Sequence, residues 1–449
     1  SNTDNPDLNR NQVFLKRALF ILFWSALFTL AFSQSPLYSS NQNQYFLQGL
    51  ADAGVGFLDQ DWLANTLDPT PVFSWFVKII YQIIPWEPIF YFFYAALAGL
   101  MLFSLYSIYS GNFSQDSRTK RFLTLSALLL IFSAGIRILI VRIMGTNWGY
   151  LFSGGVAGQR LLGNILQPSA FGVLFLFSIT LFIKDKPFWA ILPLVLAPTI
   201  HPTYLLSAAV LTLIYMGLDF IEKKKLVRPL MLGALALFGV FPILIHTVVT
   251  FGGTSPELLA RGQEILVHFR IPHHAIPADW FDGSSVVKID IILAEIFLTR
   301  KTKLFHIILW SFLAAVVGTL IQLLIYSDAL ALIFPWRLTT WLVPLSTTAL
   351  IFYLVEQTWP WVEQRIPFNL IIALCAITVV PLTVFGFTKT LVDDRLINAG
   401  ADRAMMAYVF ESKTSGDTYL VPTDLQDFRL VTGAPIYTEF KAIPYKDVE

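Results

Sequence analysis

The sequence predicts an all-α polytopic membrane protein with about 10–11 transmembrane helices. Interfacial helices are expected in its first outer loop, and a small mixed α/β extracytoplasmic segment at its C-terminus. Three observations lead there. Of 449 residues, 55% are hydrophobic and only 14% are charged, where a soluble domain carries about 25% charged residues. Mean hydropathy is +0.63. Apolar runs of roughly 20 residues, enough to cross a bilayer, recur along the chain. The net charge of +1 offers no basic surface for nucleic acid. Cys375 is the single cysteine, which excludes an intrachain disulfide framework and a cysteine-based zinc cluster.

The first apolar run, 13–32, is too long for a signal peptide and lacks a small-residue cleavage pattern, so it reads as a retained span. A long loop, 33–86, follows. Within it Val72, Phe73, Phe76, Ile79, Ile80, Ile83 and Ile84 recur at helical spacing, while Ser74, Lys78 and Gln82 fall elsewhere. That pattern predicts an amphipathic helix lying in the interface. Further runs lie at 88–109, 122–141, 171–183, 187–218, 229–249, 304–326, 334–355 and 368–387. The 187–218 run is too long for one helix. Two prolines around His201, in Ala197-Pro198-Thr199-Ile200-His201-Pro202-Thr203, divide it into two spans meeting at an outer turn, or into a re-entrant pair. Residues 286–298 carry Lys288, Asp290 and Glu295 and are expected to make a short, tilted crossing. The chain thus divides into a multipass domain, 1–390, and a polar segment, 391–449. Strand-like runs at 418–421 and 435–440 suggest mixed structure there. The segment has no His or Cys, so it reads as a lid, dock or packing element.

Lys and Arg mark cytoplasmic loops. Arg10, Lys16, Arg17, Arg118, Lys120, Arg121, Lys184, Lys186, Lys223, Lys224, Lys225, Arg228, Lys301 and Lys303 all fall on one side if 71–86 does not cross. The N-terminus is then cytoplasmic and the C-terminus extracytoplasmic. This threading gathers the unusual polar residues on the outer side, in loops 33–86, 142–167 and 251–285 and at two helix ends.

In the first loop, Gly56-Phe57-Leu58-Asp59-Gln60-Asp61-Trp62 places two carboxylates beside a membrane. Such acids are costly unless they bind or catalyse something, although short acidic surface loops are also common. The second loop contains Ser153-Gly154-Gly155-Val156-Ala157-Gly158-Gln159-Arg160. It lacks the Lys-Ser/Thr ending of a P-loop, so its glycines serve tight turns and Arg160 is the candidate anion ligand. His201 either lines a site or satisfies a carbonyl of the broken helix. His273 and His274 are adjacent between Pro272 and Pro277, a weak pattern for a metal. Arg270 stands three residues before His273. Arg337, near the start of a span, either snorkels to headgroups or grips an anion. Jointly, these arginines and neutral histidines suit an anionic, lipid-borne substrate. Arg holds phosphate bidentately, and an Asp accepts a proton from an attacking hydroxyl. Two nearby carboxylates would equally suit a divalent cation, so metal dependence stays open.

A first span followed by a long outer loop with an acidic pair before Trp62 and an interfacial helix resembles the C-type glycosyltransferase superfamily. The resemblance covers residues 13 to 390, and its motif, Leu58-Asp59-Gln60-Asp61-Trp62, is short. It implies a multipass enzyme with a polyprenyl-phosphate-linked sugar as donor and a catalytic acid in the first outer loop, at Asp61 or Asp59. A second likeness is to an uncharacterised bacterial multipass family. It rests on Phe269-Arg270-Ile271-Pro272-His273-His274, Asp427-Phe428-Arg429-Leu430 and Lys441-Ala442-Ile443-Pro444-Tyr445, and implies relatives rather than an activity.

The leading expectation is therefore a membrane glycosyltransferase acting at the extracytoplasmic face. Asp61 or Asp59 would be the base, Arg337 and Arg160 the phosphate ligands, and His201, Arg270, His273 and His274 the lining. The alternatives are a non-enzymatic subunit or assembly factor of a larger membrane complex, and a transporter. No inverted repeat is evident for the transporter. Substituting the two acids separates enzyme from subunit, since only an enzyme loses a product while remaining assembled.

Overall fold

The computed structural model describes residues 6–440 and 443–449 of the chain. Seven helices are long and apolar enough to cross a bilayer: Gln12–Phe32, Ile89–Tyr109, Pro202–Lys223, Val227–Phe251, Lys303–Ile325, Asp328–Arg365 and Phe368–Asn398. The pair Arg118–Phe132 and Ala134–Met144 reaches that length together and bends by 45°. The Ser133 hydroxyl at the bend accepts from the Ile136 amide, restarting the helix in a new direction. The expected total of 10–11 crossings additionally requires the shorter helices Pro168–Ile183, Pro187–Ile200 and Gly283–Leu298.

Burial sorts the helices into a centre and a rim. Asp328–Arg365 is 83% buried over its apolar window, whereas Gln12–Phe32 and Val227–Phe251 are 17% buried. The centre is filled by wholly buried rings such as Trp341, Phe352, Tyr94 and Tyr109. The rim presents Phe14, Phe238, Leu324 and Ile377 outward, as lipid contact requires.

The long apolar run around His201 breaks where its prolines predict. One helix ends at Ile200, a short turn covers Pro202–Tyr204, and the next helix starts at Leu205. That second helix, Leu205–Lys223, has 19 residues and is about 28 Å long. Its far end joins a charged cluster in which Lys303 meets both Asp185 and Glu222. Its near end, at His201, meets Tyr45 of the first loop and Arg337 of the Pro335–Leu338 turn. The bundle therefore has a basic-loop end and a polar-site end. In the first loop the expected amphipathic helix forms as Pro71–Ile83, burying Phe73 and Val77 and exposing Trp75 and Ile83.

The last long helix continues to Asn398, into the segment expected after 391. One expectation needs correction. That segment is not mixed α/β. It holds two helices, Asp402–Ser412 and Phe428–Thr432, and among the described residues no strand. The 418–421 and 435–440 runs meet through a single parallel bridge, Tyr419 to Ile436. Pro422 and Pro435 bound it and lack the amides a longer ladder needs.

Candidate functional site

Arg337 lies in the turn Pro335–Leu338, entered through Phe334 in the left-handed region at φ 50°. Its guanidinium sits 3.5 Å from His201 Nε2 and packs against the rings of Tyr204 and Phe334. Among the described residues no carboxylate lies within ion-pair distance of it. His201 is 6% exposed, and burial, then the nearby Arg337 charge, pushes its pKa well below the usual histidine value. The imidazole is therefore neutral. Arg337 can only donate, so His201 Nε2 accepts and the ring proton sits on Nδ1.

That Nδ1–H has no partner among the described residues. Neither do Arg337 Nε, the Thr203 hydroxyl, Trp336 Nε1 or either amide atom of Gln159. Folded proteins rarely leave buried polar atoms orphaned, and each of these is a position where a polar ligand or solvent belongs. Except for the two-sided amide and hydroxyl, these atoms are all donors. The arrangement suits an oxyanion.

The Gly-rich loop completes one wall. Gly155 N donates to Gln159 O at 2.8 Å, which closes the hairpin that carries Arg160. The Val156 amide donates to Thr339 Oγ1 at 2.8 Å, docking the hairpin on the residue two beyond Arg337. A Cβ on Gly155 would lie 2.7 Å from both Thr339 Oγ1 and the Thr340 amide, so the close approach demands glycine. Lys288 reaches the Gly155 carbonyl at 3.0 Å, and Arg160 stacks on Tyr150 at 3.8 Å. His274 Nδ1 lies 2.5 Å from the Ala157 carbonyl. Burial first, then His273, lowers the His274 pKa to about 4, with Arg337 and Arg160 both contributing. Arg270 ends a π-helical turn, Ile265–Arg270, and its charge reaches Tyr45, Tyr445 and His273. Such turns redirect side chains and are frequent at functional sites.

Arg337, Arg160, His201, Arg270, His273 and His274 are thus neighbours, though they come from four separate stretches. His273 and Arg160 are exposed. The acid pair lies elsewhere. Asp61 is 0% exposed and forms an ion pair with Arg429 Nε at 2.8 Å. Its oxygens also accept from the Leu63 amide at 2.9 Å and the Ile436 amide at 3.0 Å. Oδ2 docks the C-terminal segment through Arg429 and Ile436, and Oδ1 is held by the Leu63 amide of its own turn. Gly56 allows that docking: a Cβ there would sit 2.3 Å from the Gly433 carbonyl. Asp59 is exposed on the same turn. Among the described residues no three His, Cys, Asp or Glu side chains converge as a metal set.

A different acid lies beyond Tyr45, with the His246 ring nitrogen 3.2 Å from its backbone carbonyl. Asp68 shares a small cavity with Tyr45 and Tyr445. The two tyrosine hydroxyls bond to each other, and Tyr45 stands edge-on to His201 at 6.2 Å between ring centres. The Thr70 amide donates to Asp68 Oδ1 at 2.7 Å, and Ser74 donates to the same carboxylate. Burial outweighs these bonds and raises the Asp68 pKa above its usual value. Tyr45, Tyr204, Asp68 and Tyr445 carry no motif, because chain folding alone brings them together. The signal that was legible is Asp68-Pro69-Thr70-Pro71, an acid held rigidly at a helix start.

Residues 400–449 match a domain of unknown function (DUF6798). That stretch includes Arg429 and Tyr445. No curated protein matches the chain.

Proposed function

We propose that this protein is an integral-membrane glycosyltransferase of the C type, with a polyprenyl-phosphate-linked sugar as donor. The observation that carries the reading is Arg337: a half-buried guanidinium without a carboxylate, its Nε buried and unpartnered among the described residues, beside a neutral His201 whose Nδ1–H is unpartnered as well. A cation removed from water needs a counter-charge, and a phosphate supplies it. Arg337 and Arg160 hold the donor phosphate, and Arg270, His273 and His274 line the approach. The apolar rim and the Pro71–Ile83 helix accommodate a lipid chain.

Within this reading the base passes from the Asp59–Asp61 pair to Asp68, since Asp61 is committed to Arg429. Asp68 has the raised pKa and the adjoining cavity that a base requires. It takes the proton from an acceptor hydroxyl. The hydroxyl oxygen forms a bond to the anomeric carbon, and the bond from that carbon to the phosphate oxygen breaks, its electron pair leaving with the phosphate. The arginines stabilise the charge that develops there. The Lys and Arg distribution favours a cytoplasmic N-terminus, which puts this site and the C-terminus on the extracytoplasmic side. No requirement for a divalent cation follows, because the arginines already supply positive charge.

The test is transfer of radiolabelled sugar from polyprenyl-phosphate donors by purified protein. Activity that depends on Arg337 and Asp68 supports the enzyme. Stable, lipid-binding protein with no transfer from any donor favours the membrane-complex subunit instead.

A further inference from the structure

We infer that the cavity between the first loop and the C-terminal segment binds a small organic molecule through a primary ammonium group. The inference does not depend on the anion site, and it gives residues 400–449 a ligand.

The cavity measures about 340 Å³, within the range of about 300–1,000 Å³ usual for small-molecule sites. Tyr38 and Asn43 of the first loop line one side. The end of the Phe368–Asn398 helix, the start of the Asp402–Ser412 helix and the turn before Phe428–Thr432 line the other.

Its polar groups accept rather than donate. Asn43 is 2% exposed. Its Nδ2 donates to the Ser40 carbonyl at 3.1 Å, which fixes the way the amide points. Oδ1 is then a buried acceptor, without a partner among the described residues. Only a donor satisfies such an atom. Three carboxylates, Asp402, Asp424 and Asp427, line the same cavity with one guanidinium, Arg403, an excess of two negative charges. Arg403 offsets Asp427 and no more, because its three nitrogens are committed. They donate to the Asp427 carboxylate, to the Ile397 carbonyl at 2.9 Å and to the Met406 sulfur at 3.4 Å. Asp402 and Asp424 are exposed, and neither carboxylate has an ion-pair partner among the described residues. Where Arg337 and His201 present donors, this cavity presents acceptors.

The matching ligand is a cationic donor. A primary ammonium carries three N–H groups and a positive charge, so it answers both the orphaned acceptor and the charge excess. A bare metal ion answers less well. Among the described residues no three His, Cys, Asp or Glu side chains converge, and an ion would leave most of the volume unfilled. Tyr38, Met406 and Leu425 supply apolar lining for a carbon frame. The Tyr38 hydroxyl is already taken by Glu87 at 2.8 Å, so its ring is what remains for a ligand.

The test is calorimetric titration of the full chain in phosphatidylcholine nanodiscs with two matched pairs: glucosamine against glucose, and cadaverine against the corresponding diol. Each pair keeps its carbon frame and exchanges ammonium for hydroxyl. At least one amine should bind saturably, with its neutral partner about tenfold weaker or more, the scale of one hydrogen bond to a charged group. Asp402→Asn combined with Asp424→Asn, at exposed positions outside the core, should weaken the amine by a similar factor, as should Asn43→Ala. Binding of neither amine, equal binding of an amine and its neutral partner, or wild-type affinity in the double Asp variant overturns the inference. Calcium binding that displaces the amine and depends on the same two acids makes this a metal site and overturns it too. Repeating the titration in phosphatidylethanolamine nanodiscs identifies the source of the group. Weaker amine binding there supports the site with a lipid headgroup as its occupant, and equal binding supports it with a soluble amine.

Discussion

Arg429 and Asp61 are joined by an ion pair of 2.8 Å in which neither side chain is exposed. Glu439 Oε2 lies 3.7 Å from the same guanidinium. The pair fastens a C-terminal segment to a loop nearly 370 residues earlier in the chain (429 − 61 = 368). Removing one partner of a buried pair strands a charge and costs about 3–5 kcal/mol. Asp61→Asn should therefore lower the melting temperature and expose the C-terminal segment to protease. Adding Arg429→Met should recover part of the loss, measured as a coupling of more than about 1 kcal/mol in a double-mutant cycle. Asp59→Asn, at an exposed position, should change stability by less than about 0.5 kcal/mol.

Catalysis separates the acids in the opposite order. Asp68→Asn should reduce sugar transfer about 10²–10⁴-fold, the scale of losing a general base, while leaving lipid-phosphate binding intact. Asp59→Asn should transfer sugar at the wild-type rate. A turnover assay on the two purified variants decides; full activity in Asp68→Asn would remove it as the base.

The Gly-rich loop is a test of packing. Gly155→Ala forces a methyl to within 2.7 Å of Thr339 Oγ1 and the Thr340 amide. Overpacking of that kind costs about 1–3 kcal/mol. The loop should retreat from the start of the helix after Arg337, lowering thermal stability and weakening phosphate binding together. Calorimetry and binding on the same sample check whether both change.

His274 gives the site a pH dependence. Its folded pKa, about 4, lies below the unfolded value near 6.5. The unfolded state binds the extra proton first as pH falls. Stability from this residue is thus complete above about pH 6.5 and is lost progressively down to about pH 4. His274→Gln should flatten that part of a melting-temperature profile. A profile with the same slope in the variant would assign the acid sensitivity elsewhere.

Much of the fold was legible because spans and breaks are written locally. Composition and apolar run length announce the bundle, and the prolines flanking His201 announce the helix break. The cationic residues that the structure brings together were conspicuous in the sequence, since Arg and His in apolar surroundings stand out one at a time. The role of the acids was not. Asp61 sits in a motif-like acidic pair, but its partner Arg429 is remote in sequence, so nothing local distinguishes a docking carboxylate from a catalytic one. Asp68 looked ordinary because Tyr45 and Tyr445, which enclose it, come from opposite ends of the chain. The strand-like runs of the C-terminal segment misled for a related reason: alternation predicts a strand only where a neighbour supplies a ladder, and Tyr419 meets Ile436 alone.

The central claim is that Arg337 holds a lipid phosphate, and equilibrium binding of a polyprenyl monophosphate to purified protein in nanodiscs tests it most directly. Arg337→Lys keeps the charge and loses the bidentate fork, so affinity should fall about tenfold. Arg337→Gln should fall further, with the melting temperature held within a few degrees of wild type. Binding of the lipid phosphate that is unchanged in both variants, or absent from wild type, would contradict the account.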